Sequence, residues 1–131
     1  MATHTITLGV DCSGFSRSKE ISNTDNGVSL IDGETVITGA ADQDLQIAFV
    51  LDVSECSSFY LVSDQNIQLE TNAVDATGGN TLNLIANEPY IWHTSSYDTF
   101  KLTADVTTTY WTNQSGSTAT IYCVALYDVT P

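Results

Sequence analysis

The chain has 131 residues, of which only 3 are Lys or Arg and 16 are Asp or Glu, giving a formal net charge of −13. This length predicts a single domain over residues 1–131 that can bury a core without a disulfide or a metal. The negative charge is spread along the chain and repels phosphate backbones, and neither a basic stretch nor an apolar run of about 18 residues occurs, so we expect neither nucleic acid nor membrane as a partner.

Composition favours strands over helices, because the chain contains 19 Thr and 13 Ser but few Lys. The first residues lack the basic and apolar regions of a signal peptide, so we expect synthesis without export. The three cysteines, Cys12, Cys56 and Cys123, match no metal-binding spacing. We interpret them as buried or idle thiols in a reducing compartment.

Alternating apolar and polar residues predict strands in the N-terminal half. Residues 4–10 place His4 and Ile6 on one face and threonines on the other. Residues 28–38 predict two short strands joined by a tight turn at Asp32-Gly33. Residues 45–53 predict another strand.

Residues 11–27 contain few apolar residues but hold Arg17 and Lys19, two of the three basic residues. A solvated loop is the simpler interpretation. The alternative is a docking arm, in which Arg17 and Lys19 meet the acidic surface of a neighbouring protein.

The C-terminal half continues the strand pattern with short alternating stretches separated by turns. These stretches are residues 57–63, 66–72, 81–86, 90–93, 100–111 and 118–129. About nine or ten short strands, with no helical stripe, predict an all-β chain folded as an antiparallel β-sandwich or jelly roll.

The last strand is apolar on both faces along its second half. Tyr122, Val124 and Leu126 share one face, where a sandwich strand would normally be polar. This strand is either a central strand with a partly covered outer side, or its outer side meets another subunit. For subunit contact we single out these three residues together with Trp111.

No catalytic constellation is evident, so we expect no enzyme, no catalytic residue and no cofactor. His93 is followed closely by Ser95, Ser96 and Asp98, but the members of a catalytic triad normally come from separate elements. We therefore predict that His93 is a structural residue at the rim of the domain.

No zinc or EF-hand spacing occurs, and we expect no metal. The alternative is a calcium ion held by Asp42 and Asp44, or by Asp25 with Asn26, because hard cations take oxygen ligands from loops.

Aromatic residues gather in the C-terminal third, at Tyr90, Trp92, Tyr97, Tyr110 and Trp111. Their simpler interpretation is packing in the core and at its rim. The alternative is an exposed platform on which sugars stack, as in a carbohydrate-binding or receptor-binding module.

Three stretches within residues 59–131 share a pattern with a known class of protein. They are FYLVSDQNIQLETNA, GNTLNLIANEPYIWH and LTADVTTTYWTNQSGSTATIYCVALYDVTP. The pattern joins a strand like LVSDQNIQLETN to L-x-L-x-A-x-x-P-Y-x-W, then to DVT-x-x-Y-x-T-N-x-S and a closing D-x-T-P. In this half the chain resembles small β-sandwich virion structural proteins of tailed bacteriophages.

The resemblance implies a head decoration (cement) protein or another small structural part of the particle, which works by oligomerising and by bridging shell subunits. We expect capsid or other virion proteins as partners and a homo-oligomer, with a trimer favoured. We also expect synthesis in the host cytoplasm and a place on the outer surface of the particle, which suits an acidic protein better than contact with packaged DNA.

Overall fold

The computed structural model describes residues 2–12, 17–37, 45–47, 49–74 and 79–127, with the backbone alone for residues 2, 10–12, 17–21 and 23–37. This part of the chain forms nine β-strands, as the alternation of apolar and polar residues predicts. They are β1 (Ala2–Cys12), β2 (Arg17–Ile37), β3 (Leu45–Ile47), β4 (Cys56–Ser63), β5 (Ile67–Thr71), β6 (Thr81–Leu84), β7 (Tyr90–His93), β8 (Thr109–Thr112) and β9 (Ala119–Tyr127).

The strands form two antiparallel sheets. The first has the order β1-β2-β9-β4-β7 and the second the order β3-β8-β5-β6. The predicted all-β, sandwich-like fold is confirmed, although β1 and β2 span 11 and 21 residues and are not short. The described part of the chain contains no helix long and apolar enough to cross a lipid bilayer.

The core lies between the two sheets. Phe59 and Leu61 of β4 and Leu69 and Trp111 of the second sheet belong to one cluster of buried residues. Leu51, Cys56, Ile67, Leu82, Leu84, Leu102, Val106, Ala119, Ile121, Cys123 and Ala125 complete it. Burying a large apolar side chain contributes roughly 1.5–3 kcal/mol relative to leaving it exposed, so this cluster is the main stabilising feature of the fold.

The tight turn predicted at Asp32-Gly33 does not form. Both residues lie within β2, where Asp32 is opposite Val124 and Gly33 is opposite Cys123 of β9. An Asp-Gly pair favours a hairpin only when the segments on its two sides pair with each other. Here residues both before and after Asp32-Gly33 pair with β9, so β2 continues through these two residues as one strand.

Two other predicted strands are shorter than expected. β3 ends at Ile47, and β8 begins only at Thr109. Between them, an isolated bridge joins Leu51 to Val106. Beside this bridge the side chain of Asn72 makes hydrogen bonds with the backbone. Its Nδ2 donates to the Asp105 carbonyl at 2.8 Å, and its Oδ1 accepts from the backbone N–H of Thr107 at 2.8 Å.

Candidate interaction surface

An N-terminal hairpin is formed by β1 and residues 17–27 of β2. Its register runs from Ala2 opposite Gly27 at the base to Cys12 opposite Arg17 at the tip. Residues 17–27 are therefore strand, where a loop was the simpler prediction. Arg17 and Lys19 lie in the last three positions before the tip, but their side chains and residues 13–16 are outside the described part of the chain. The docking role of this basic pair stays a prediction.

The base of the hairpin lies near the outer face of β4 and β9. β1 pairs with residues 17–27 of β2, whereas β9 pairs with residues 28–37, so β1 does not lie beside β9 in the ladder. Nevertheless, residues 3–6 of β1 line a groove of about 280 Å³ together with Ser58, Tyr60, Tyr122 and Val124. We call this space the hairpin groove.

The two-faced pattern of β9 has its explanation here. β9 is a central strand between β2 and β4, and Tyr122 and Val124 on its outer face line the hairpin groove. Tyr122 remains 41% exposed, and Val124 is half-buried in the hairpin groove. Leu126 on the same face is fully buried, although it is not part of the main core cluster.

This placement changes the residues available for subunit contact. Trp111 is buried in the core, where its indole Nε1 donates to the Thr109 hydroxyl at 2.7 Å. Trp111 and Leu126 are therefore removed from the candidate surface, because neither can touch a partner while the domain is folded. Tyr122 remains available, with its ring set edge-on to Tyr60 at 6.1 Å. Val124 is half-buried and lines the hairpin groove.

β1 is the longest of the edge strands in the described part of the chain. It has 11 residues, whereas the other edge strands, β7, β3 and β6, have 4, 3 and 4. Its register with β2 contains no bulge, its sequence contains no proline or lysine, and Leu8 is 55% exposed. Natural sheets usually shorten, bulge or charge their edges to prevent pairing with other chains. Among the described strands only β2 pairs with β1, and the exposed stretch around Leu8 is the candidate position for contact with another molecule.

His93 and its neighbouring serines form a turn and do not form a nucleophile–base pair. The imidazole Nδ1 accepts a hydrogen bond from the Ser95 backbone N–H at 3.2 Å, and the Ser96 hydroxyl accepts one from the His93 backbone N–H at 2.9 Å. Asp98 is exposed. These bonds lie at the end of β7, and His93 itself is buried.

Sequence reasoning did not identify Ser58. This residue lies in β4 opposite His93, is buried, and lines the hairpin groove. Its hydroxyl has no hydrogen-bond partner among the described residues. A serine in the stretch SSFYLVS gives no signal of this, because its burial depends on neighbours that are distant in the sequence.

The two described cysteines are packing residues. Cys56 and Cys123 are free thiols inside the domain. Burial raises the pKa of each thiol from 9.0 to about 12, so both are protonated at neutral pH and neither is an activated nucleophile.

The aromatic residues do not form an exposed platform within the described part of the chain. The ring of Trp92 stacks on Phe100 at 4.4 Å, and Phe100 also packs on Phe59 at 5.4 Å. Tyr90 packs against the same core cluster. Tyr97 is fully exposed, but no other ring among the described residues contacts it.

No group of three or more metal-binding side chains comes together among the described residues. Asp42 and Asp44 lie outside these residues, and Asp25 and Asn26 lie in β2 with only their backbone described. The calcium alternative therefore stays a prediction.

No protein-family model, curated protein or solved structure matches the chain. The resemblance to phage virion proteins therefore stays a prediction from the sequence motifs of residues 59–131.

Proposed function

We propose that the protein is a non-enzymatic structural component of a tailed-phage virion, a capsid decoration protein that stabilises the shell from its outer surface. In this proposal it forms a symmetric homo-oligomer, a trimer in the favoured case, and binds capsid or other virion proteins. The motifs of residues 59–131 support the choice of a virion protein.

The observation that carries the structural role is the N-terminal hairpin. An edge strand as long as β1, with 11 residues and an exposed Leu8, can add a strand to a neighbour through main-chain hydrogen bonds. The stretch from Ala2 to Val10 contains no charged residue when His4 is neutral. Two copies with a net charge of −13 each could therefore meet along β1 without opposing carboxylates.

The second contact in the proposal is the basic tip of the hairpin. Arg17 and Lys19 are two of only three basic residues, and they are two positions apart on one strand. Alternate residues of a strand share a face, so both positions lie on the same side of the hairpin. They can meet acidic groups of a shell subunit, and symmetric association multiplies such weak contacts.

The test is sedimentation of the purified chain with shells of the phage that encodes it. Lys19→Glu should weaken attachment several-fold at low salt, since a favourable charge contact becomes a repulsive one. Lys101→Glu is the matched control, because it makes the same charge change at an exposed residue outside the hairpin. Equal binding by the two variants would contradict the docking-arm proposal, and absence of the chain from purified particles would contradict the virion proposal.

A sugar platform built from the Tyr and Trp residues is the weaker candidate. It requires exposed, coplanar rings, whereas the described rings of Trp92 and Trp111 pack against or within the core.

A further inference from the structure

The outer face of the second sheet carries a broad polar groove that is unrelated to the hairpin. Asn83 of β6, Gln68 of β5 and Thr112 of β8 form one row across three strands, because each is directly opposite the next. The groove above this row has a volume of about 650 Å³, and binding sites for small ligands commonly have volumes of about 300–1,000 Å³. We call it the amide groove.

Hydrogen bonds already fix the orientation of two of its amides. The Nε2 of Gln68 donates to the Oδ1 of Asn83 at 3.1 Å, and the Oδ1 of Asn66 accepts from the backbone N–H of Ala86 at 2.8 Å. These bonds leave the Oε1 of Gln68 as an acceptor, and the Nδ2 groups of Asn83 and Asn66 as donors, without a partner among the described residues. Gln114 at the end of the groove adds a further donor and acceptor.

The lining excludes several classes of ligand. None of the described residues that line the groove is charged, although the chain as a whole has a net charge of −13. Among these residues an anion would find no cation, and a metal ion would find no carboxylate. A wholly apolar ligand would remove the amides from water without replacing their hydrogen bonds, which is costly.

An apolar side chain completes the site. Ile85 lines the groove and is 64% exposed, so it offers a hydrocarbon surface beside the amides. A pyranose ring has both features that this surface matches: hydroxyl groups that donate and accept hydrogen bonds, and patches of C–H groups. We infer that the amide groove binds a neutral saccharide, with Gln68, Asn83 and Asn66 hydrogen-bonded to its hydroxyl groups and Ile85 against its ring. This inference does not depend on the virion proposal.

The test is an NMR titration of the ¹⁵N-labelled full chain with glucose, galactose and mannose and with a linear trisaccharide of each. Side-chain amide signals of Gln68 and Asn83 should shift with at least one of these sugars. Binding by the single sugars would indicate a free sugar as the ligand, and binding by a trisaccharide alone would indicate a longer glycan.

Variants then assign the site. Gln68→Ala should weaken binding about tenfold, because the loss of a hydrogen-bonding side chain removes roughly that much affinity. Asn83→Ala should weaken binding by a similar factor. Because Asn83 is exposed, this second variant tests the site even if Gln68→Ala does not fold. Gln46→Ala is the matched control, since Gln46 is an exposed glutamine in β3 of the same sheet but outside the groove. The inference is overturned if no sugar shifts the groove signals, or if Gln46→Ala weakens binding as much as Gln68→Ala.

Discussion

At the scale of single residues, two adjacent buried serines in β4 allow a comparison. One hydroxyl has a hydrogen-bond partner and the other has none among the described residues. The Ser57 hydroxyl donates to the Leu126 carbonyl at 3.2 Å, whereas the equally buried Ser58 hydroxyl has no partner among the described residues. Ser57→Ala should lower the free energy of unfolding by about 1 kcal/mol. Ser58→Ala should leave it unchanged or raise it by up to about 1–2 kcal/mol, because a methyl group has no unmet hydrogen bond.

Urea unfolding of the two variants and the parent chain measures this difference directly. Both substitutions remove one oxygen from neighbouring positions of the same strand, so each is the control for the other. A loss of stability in Ser58→Ala as large as that in Ser57→Ala would mean that the Ser58 hydroxyl has a partner after all.

At the scale of strands, the prediction concerns self-association through the edge strand β1. Leu8→Lys places a charge on the exposed edge strand, and lysine on an edge disfavours pairing with another chain. Self-association should therefore weaken, and light scattering should report a mass closer to the 14.1 kDa of one chain. Val50→Lys is the matched control, because Val50 is also an exposed aliphatic residue but lies outside β1. An unchanged mass for Leu8→Lys, with the parent chain oligomeric, would exclude β1 as the contact.

The strands also show how far the sequence alone leads. β5, β6, β7 and β9 fall within predicted alternating stretches, because alternation reports directly on a strand with one face in the core. The continuous course of β2 through Asp32 and Gly33 could not be predicted, since it depends on pairing with β9 almost a hundred residues later. Alternation identified Tyr122 as an outer residue. It could not show that Leu126 on the same face is buried, because burial depends on residues that are distant in the sequence.

The amide groove was not predicted for a similar reason. Gln68, Asn83 and Thr112 are far apart in sequence and form one row only through the register of three strands. Read singly, each is an ordinary polar residue on the wet face of a strand. The sequence therefore indicated the correct layers of the fold but not the surfaces that assemble across strands.

At the scale of the whole molecule, the net charge of −13 opposes any association between copies. Pairing along the charge-free stretch of β1 avoids direct contact between carboxylates, but the remaining charges still repel over a distance comparable to the Debye length, about 10 Å at 0.1 M salt. Docking of Lys19 on an acidic partner is an attraction between opposite charges. The two proposed contacts should consequently respond to salt in opposite directions.

Light scattering of the parent chain at low and high salt tests the first contact, and shell sedimentation under the same conditions tests the second. Added salt should raise the oligomeric fraction, toward three chains of 14.1 kDa in the favoured case, because screening weakens repulsion between acidic copies while apolar and main-chain contacts persist. The same salt should weaken attachment to shells and reduce the difference between Lys19→Glu and Lys101→Glu. A mass of one chain at both salt concentrations would contradict self-association through β1, and attachment that strengthens with salt would contradict docking through the basic tip.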